Sequence, residues 1–165
     1  MDPDRTEWLS AEQLRAWMPL CGVVVGLPSA LDRQLQRDAG ISFFTYLVMA
    51  ALSDSPDRTL RMSDLAAVAT GSLSRLSHSV KKLEQEGWVR RRPDPADART
   101  TLATLTETGY AKLADAAPGH VAEVRRLVVD ALPAEQFAEL GAAARVIAGL
   151  VLPAEGALRR RLDGG

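Results

Sequence analysis

The sequence predicts a mainly α-helical fold with one small β-hairpin, and three observations lead to this class. Near both ends of the chain, apolar residues recur every three or four positions, which is the spacing of amphipathic helices. The middle of the chain holds two short helical patterns around a Thr-Gly pair. Two segments expected to form strands, WVRRR and TLATL, come next and are joined by PDPADAR, which is expected to form a loop longer than a tight turn.

The composition is that of one soluble globular domain. The 165 residues can bury a core of ordinary size, and the formal net charge is only −1. A single cysteine excludes an internal disulfide and favours a reducing compartment. The acidic N-terminus lacks the apolar stretch of a signal peptide, and no apolar run has the length expected of a membrane span. We therefore expect a cytoplasmic protein with no membrane partner.

Capping residues define the expected helix boundaries. Ser10 and Gln13 have the spacing of a capping box at the start of the first helix, which is expected to kink at Pro28 and to end at Gly40. The segment TLRM is too short and alternating for a helix and is expected to form an edge strand. The other helices are expected to begin at Ser42, Ser63, Ser72, Thr106 and Pro133, with an interruption near Pro118.

The two short helices and the hairpin form the pattern of a winged helix-turn-helix. The second helix, from Ser72 to Glu86, has one apolar face that can pack on a core. Its opposite face carries hydrogen-bond donors that can reach phosphates and base edges in the major groove of DNA. These donors are Ser74, Arg75, His78, Lys81 and Lys82. The alternative for this face is an ordinary solvated helix surface.

The hairpin places further arginines beside this helix. Arg90 and Arg92 alternate with Arg91 along a strand, so only part of the triplet can face phosphate. Arg99 follows the turn and is expected to be the principal contact, since an arginine at such a tip can enter the minor groove. Asp97, two residues earlier, is expected to hold its guanidinium through a bidentate pair. The alternative is a hairpin closed by a local Asp–Arg pair without a ligand.

The sequence carries no motif for catalysis. It has no nucleophile–base pair, no glycine-rich phosphate loop and no metal-ligand spacing around its two histidines, His78 and His120. We therefore expect neither an enzyme nor a cofactor or metal site. A winged-helix module whose basic face binds an acidic protein is the remaining alternative to a DNA-binding regulator.

The wing segment DPADARTTLATLTETGY resembles the signature of the multiple-antibiotic-resistance regulators, the MarR family. The family pattern is Asp-x-Arg, then a strand, then Leu-Thr-x-x-Gly at the start of the next helix. These places are occupied by Asp97, Arg99, Leu105, Thr106 and Gly109. Upstream, MSDLAAVATGSLSRLSHSVKKLEQEGWVRRRPDP is similar to the family's Leu-Ala, Ser-x-Ser and Leu-Glu-x-x-Gly-hydrophobic-Val-x-Arg pattern. The similarity extends from about Asp32 to Leu150.

The resemblance implies one MarR-type domain over residues 1–165, present as a homodimer. Residues 1–39 and 106–165 would form the dimerisation helices, and residues 42–105 would form the winged helix-turn-helix. Two recognition helices would meet successive major grooves of a pseudo-palindromic operator, usually to repress transcription, while each wing reaches the adjacent minor groove. The positions that match the family's recognition helix and wing are Ser72, Ser74, Arg75, His78 and Arg99.

The resemblance also implies a small anionic or phenolic effector that binds between the DNA-binding lobe and the dimerisation helices and changes the spacing of the recognition helices. Candidate lining residues are Arg15, Trp17, Met18, Phe43 and Tyr46, and plain core packing is the alternative for each. Some members sense peroxides through a cysteine near the start of the first helix. The place of that cysteine falls nearer Met18 than Cys21, so a buried, unreactive thiol is the favoured interpretation of Cys21.

Overall fold

The computed structural model describes residues 6–68 and 73–152, which form six α-helices and a three-stranded antiparallel sheet. The predicted mainly helical class with a small β-wing is confirmed, and the elements follow in the predicted order. The helices are α1 (Ala11–Ala39), α2 (Phe43–Ser53), α3 (Met62–Val68), α4 (Leu73–Gln85), α5 (Glu107–Val124) and α6 (Ala134–Val151). The strands are β1 (Thr59–Arg61), β2 (Val89–Asp94) and β3 (Asp97–Leu105). A 3₁₀ turn (Pro56–Arg58) precedes β1, and a π-helical turn (Arg125–Val129) extends α5.

Side-chain caps begin three of the helices as the sequence predicts. Ser10 Oγ accepts the N–H of Gln13 at 3.1 Å, and the Gln13 side chain accepts the Ser10 N–H at 2.8 Å. Ser42 and Thr106 cap α2 and α5 by accepting the N–H three residues later. Gly40 ends α1 in the left-handed conformation, with φ of 66°, which glycine adopts without steric cost.

Proline residues do not interrupt these helices. α1 continues through Pro19 and Pro28, and α5 continues through Pro118, where the sequence predicts an interruption. A proline removes one intrahelical N–H, and the turns on either side of it keep their own hydrogen bonds. Beside Pro28, the Ser29 hydroxyl also donates to the Val25 carbonyl at 3.1 Å. The predicted interruption near Pro118 is therefore wrong.

Two other predicted boundaries are also wrong. β1 runs directly into α3, so Ser63 lies inside that helix and does not cap it. Only residues 95 and 96 join β2 to β3, because Asp94 and Asp97 still pair across the hairpin. The connection is a tight two-residue turn and not the longer loop that the prolines and aspartates suggest.

The sheet is short, with β3 in the centre and the strand order β1-β3-β2. β2 and β3 form the hairpin, and β1 pairs with the base of β3. The base of the hairpin is anchored in the core because Val89, Ala103 and Leu105 are buried. The far end extends away from the body as a wing, and β2 forms one edge of the sheet.

The core lies inside the winged helix-turn-helix. Apolar side chains of α2, α3, α4 and the sheet meet the end of α1 and the first half of α5 there. Leu76, Val80 and Leu83 on the inner face of α4 are buried, as the apolar spacing predicts. Other fully buried side chains of the core are Leu35, Val48, Met49, Leu52 and Leu65.

Large apolar side chains of α1 and α6 remain exposed in the single chain. They include Trp17, Met18, Val23, Val24 and Val25 on α1, and Phe137, Leu140, Ile147 and Leu150 on α6. Among the described residues, α1 is the one helix that is long and apolar enough to cross a membrane, judged by length and composition alone. The expectation that no apolar run reaches this length is wrong, because Pro19 and Pro28 do not break the helix.

The ends of α4, β2, β3 and α5 meet in one tight junction. Gly87 adopts a φ of 74° after α4, and its carbonyl accepts the hydroxyls of Thr106 and Thr108 at 2.7 and 2.9 Å. The Trp88 carbonyl accepts the Thr106 N–H at 3.0 Å. Gly109 lies so close to this carbonyl that an added Cβ would overlap it. The packing of this junction therefore requires glycine at the last position of the Leu-Thr-x-x-Gly motif.

Gly109→Ala is expected to destabilise the fold, because the new methyl group would overlap the Trp88 carbonyl oxygen and lie 2.8 Å from Leu105 Cδ1. Relief requires a backbone shift at the junction, so we expect the free energy of unfolding to fall by about 2–3 kcal/mol. Gly141→Ala is the control, since nothing lies within 4 Å of its Cβ position and alanine favours a helix. Urea unfolding followed by circular dichroism measures both variants. Wild-type stability of Gly109→Ala would contradict this account of the junction.

Candidate nucleic-acid interface

The outer face of α4 is cationic. Its exposed residues include His78, Lys81 and Lys82, on the side opposite the buried apolar face. Ser74 and Arg75 belong to the first turn of the same helix, and the predicted contact Ser72 lies outside the described residues. The helix thus presents a basic surface to solvent while its other face holds it on the core.

β2 presents its arginines on two sides. Arg90 and Arg92 are exposed, whereas Arg91 is turned toward α4, where it pairs with Glu84. This alternation agrees with the expectation from strand geometry. The outer two arginines face solvent, and Arg91 is engaged within the chain.

Glu84 accepts three hydrogen bonds from Arg91. The guanidinium Nε and Nη2 donate to Oε2 at 2.9 and 2.7 Å, and the Arg91 backbone N–H donates to Oε1 at 3.1 Å. These bonds lower the pKa of Glu84, the side-chain bonds more than the backbone bond. Sequence reasoning gives neither residue a role, although both stand in the Leu-Glu-x-x-Gly-hydrophobic-Val-x-Arg motif, seven residues apart.

Asp97 orders the start of β3 and makes one contact with the Arg99 guanidinium. Its Oδ1 accepts the Arg99 backbone N–H at 3.1 Å and Nε at 3.3 Å, while its Oδ2 accepts the Thr100 hydroxyl at 3.2 Å. The predicted bidentate pair is wrong, because Thr100 engages the second carboxylate oxygen. The backbone N–H of Arg99 is the main cause of the lowered pKa of Asp97. The Arg99 side chain itself is 94% exposed.

A third acidic residue shapes the tip of the wing. Asp94 accepts the Ala96 N–H at 3.0 Å within the turn, and its other oxygen lies 3.5 Å from Arg61 of β1. Glu84, Asp94 and Asp97 therefore each face an arginine. The carboxylates organise the hairpin, and its exposed side remains cationic.

Two short helices, α3 and α4, followed by the hairpin of β2 and β3 define the class of winged helix-turn-helix proteins. The MarR family model matches residues 45–101. The MarR family regulator Sco3205 of Streptomyces coelicolor, solved in complex with DNA, is 44% identical, with a TM-score of 0.85 over 93% of this chain and 96% of that chain. AbsC, a MarR family regulator of the same organism, is 37% identical, with a TM-score of 0.82 over 88% of this chain and 98% of that chain.

A curated relative gives the same assignment. The HTH-type transcriptional regulator MhqR of Bacillus subtilis (strain 168) is 32% identical over 121 residues, which are 73% of this chain and 81% of that protein. The similarities thus extend well beyond the wing motif. The chain belongs to the MarR family of transcriptional regulators. Proteins of this family regulate transcription and are not enzymes.

The residues predicted to line an effector cleft fall into two groups within the chain. The group on the N-terminal half of α1 consists of Arg15, Trp17 and Met18, all exposed. Phe43 and Tyr46 lie on α2, next to the C-terminal half of α1, where Asp32 accepts the Phe43 N–H at 2.8 Å. Trp17 and Asp32 are separated by about 22 Å along the helix axis. One chain therefore does not bring the two groups to a single cleft.

A buried polar cluster lies beside Phe43 and Tyr46. His120 of α5 is 9% exposed, and its ring centroid is 4.2 Å from that of Tyr46 and 5.8 Å from that of Phe43. Gln34 of α1 is 3% exposed. Within the described residues, His120 Nδ1 and Gln34 Oε1 have no hydrogen-bond partner. Burial lowers the pKa of His120 and raises that of Tyr46. The sequence carries no signal for this cluster, because it arises from the packing of α1, α2 and α5.

Cys21 is partly buried on α1. It forms no hydrogen bond or ion pair with another residue in the described part of the chain. In residues 6–68 and 73–152, no group of three or more His, Cys, Asp or Glu side chains is placed to hold a metal ion. The interpretation of Cys21 as an unreactive thiol stays a prediction.

Acidification is expected to weaken the fold through His120. Because burial lowers the pKa of His120 in the folded chain, the unfolded chain takes up a proton first, and the free energy of unfolding falls as the pH drops below about 6.5. Glu84 and Asp97 also have lowered pKa values, and as carboxylates they contribute to the pH dependence only in more acidic solution.

His120→Leu tests this dependence, with His78→Leu as the control on an exposed histidine. Urea unfolding at several values between about pH 7 and pH 5 is expected to show a loss of stability in the wild type and in the control, and a flatter profile in His120→Leu. A profile in His120→Leu as steep as that of the wild type would contradict the assignment.

Proposed function

We propose that the chain is a homodimeric, sequence-specific DNA-binding regulator that represses transcription by occupying a pseudo-palindromic operator. The observation that carries the proposal is the cationic outer face of α4, which lies beside a hairpin whose Arg99 side chain is almost fully exposed to solvent. The relative Sco3205, 44% identical and solved in complex with DNA, supports the same kind of ligand for this chain.

α4 is the proposed recognition helix. Its 13 residues are about 20 Å long, which suits a helix lying in the major groove. Lysine and arginine can donate to phosphates and to guanine, and serine and histidine can donate to phosphates or base edges. The proposed contacts are Ser72, Ser74, Arg75, His78, Lys81 and Lys82. The net charge of −1 does not oppose this, since the local charge of the face determines the attraction to DNA.

The wing is proposed to reach the minor groove next to the recognition helix. Arg99 has the exposure that such a contact requires, because its guanidinium is held at one nitrogen only. The negative potential of a narrow minor groove attracts an arginine inserted in this way. Arg90 and Arg92 are proposed to contact DNA backbone phosphates. Asp97 is proposed to maintain the conformation of the wing tip.

A second copy of the chain is the proposed partner of α1 and α6. These helices carry many exposed large apolar side chains, and a concentration of such side chains is typical of a protein–protein interface. Burying them against the same surface of a second copy removes that area from water and gives a two-fold symmetric dimer. Such a dimer carries two copies of α4, which can enter major grooves about 34 Å apart on one side of the duplex.

The proposed effector site lies at Phe43 and Tyr46, beside His120 and Gln34. The buried Nδ1 and Oε1 atoms need polar partners, which a hydroxyl-bearing ligand can supply while the aromatic rings contact its apolar part. The site is positioned where α1, α2 and α5 meet, so a bound molecule would favour one angle between the DNA-binding lobe and the dimerisation helices. The predicted group of Arg15, Trp17 and Met18 would then belong to a separate site or reach this one from the partner chain.

Arg99→Ala is expected to weaken binding to every duplex to a similar extent and to lower the slope of log Kd against log salt by about one, because one groove or phosphate contact is lost. Arg126→Ala is the control. It removes an exposed arginine of the π-helical turn, which pairs with Glu123 at the end of α5. Fluorescence anisotropy of labelled duplexes across a range of salt concentrations measures both. Wild-type binding that shows no preference among duplexes, even at low salt, would favour a protein-interaction module instead.

A further inference from the structure

We propose that the Glu84–Arg91 ion pair is a positioning device that sets the angle between the recognition helix and the wing. Operator binding would then depend on two residues that do not contact DNA. The inference rests on the proposed DNA-binding function and adds to it a pair of residues that controls the wing. It is carried by the three hydrogen bonds between Glu84 and Arg91, which join the last turn of α4 to β2.

The contact takes the place of a missing strand neighbour. β2 is an edge strand, so the backbone N–H groups on its outer side have no strand to pair with. The Arg91 N–H donates to Oε1 of Glu84, and the Arg91 guanidinium donates to Oε2 of the same carboxylate. A single glutamate therefore fixes both the backbone and the side chain of Arg91. Hydrogen bonds to an ionised acceptor are also stronger than those between neutral groups.

Among the described residues, the wing has little other support beyond Arg91. The residue opposite it on β3, Ala103, is fully buried, whereas every side chain from residue 92 to residue 101 is exposed or partly exposed. A two-stranded ribbon is only marginally stable by itself, so its direction depends on its last attachment to the body. A second contact near the tip, between Arg61 and Asp94, is longer at 3.5 Å and holds the turn to β1, not to α4.

The pair also determines which arginines face outward. Because strand side chains alternate, holding Arg91 against α4 turns Arg90 and Arg92 to the opposite side. The positive charge of Arg91 is matched by Glu84, which is half-buried with it. The Glu and Arg of the Leu-Glu-x-x-Gly-hydrophobic-Val-x-Arg motif are thus accounted for by their contact with each other.

Glu84→Gln tests the proposal in the full-length chain with an operator duplex. Removing a carboxylate near DNA would by charge alone tighten binding, whereas releasing the wing would weaken it, so the sign of the change discriminates. We expect Glu84→Gln to raise Kd about tenfold. Glu86→Gln is the matched control, since it removes an exposed carboxylate two residues further on and is expected to leave Kd unchanged or lower. In an Arg99→Ala background, Glu84→Gln is expected to raise Kd by a smaller factor than in the wild type, because the principal wing contact is already absent.

Three outcomes separate the possibilities. Tighter binding by Glu84→Gln would overturn the proposal, because it is the change that loss of a carboxylate produces by charge alone. An equal loss in the wild-type and Arg99→Ala backgrounds would also overturn it, since the effect would not then act through Arg99, the principal wing contact. Failure of the wild-type chain to bind any duplex would count against the proposed function, not against the positioning role.

A measurement without DNA tests the positioning role separately. Amide hydrogen exchange is expected to be faster over residues 92–101 in Glu84→Gln than in Glu86→Gln, with the core helices unchanged in both. Equal exchange over the wing in the two variants would show that the ion pair does not hold it, and the proposal would be abandoned.

Discussion

The close approach of Gly109 to the Trp88 carbonyl is the constraint on which the rest of the structure depends. At this point hydrogen bonds from backbone N–H groups and threonine hydroxyls join the end of α4, both strands of the wing and the start of α5. Arg58, in the turn before β1, adds a contact with Glu107 at 2.9 Å and lies 4.0 Å over the Tyr110 ring. These bonds tie α5 to the end of α4 and to the base of the wing. In the proposed ligand-responsive regulator, these bonds would pass a displacement of α5 to α4 and to the base of the wing.

Charge pairing explains how a chain with a net charge of −1 can present a basic surface. The carboxylates of the wing and of the adjacent turn of α4 are engaged by arginines and by local N–H or hydroxyl groups. Their negative charge is therefore matched within the hairpin, and the arginines on the outer side keep the surface cationic. The aspartates and prolines of the wing segment form its tight turn and the start of β3. The negative charges of this segment therefore shape the hairpin, and its positive charges form the exposed surface.

Local signals in the sequence were sufficient to predict most of the fold and the residues on the exposed face of α4. Ser10 marks a helix start because capping involves groups only three residues apart, and the apolar spacing of α4 follows from its own geometry. Contacts between distant elements were not accessible in this way. Pro118 does not end its helix because the neighbouring turns stay bonded, and the burial of His120 follows from the packing of α2 on α5. The bond between Glu84 and Arg91 likewise needs the angle of β2 to α4, which spacing alone does not give.

Selection from a random duplex library with the full-length chain tests the central claim most directly. Two copies of α4 in a symmetric dimer predict enrichment of one sequence with two inverted half-sites whose centres lie about 10 base pairs apart. Protection of the minor groove beside each half-site is expected from the two wings. Failure to enrich any sequence, or enrichment of a single half-site without its inverted partner, would contradict the account of a dimer that reads successive grooves.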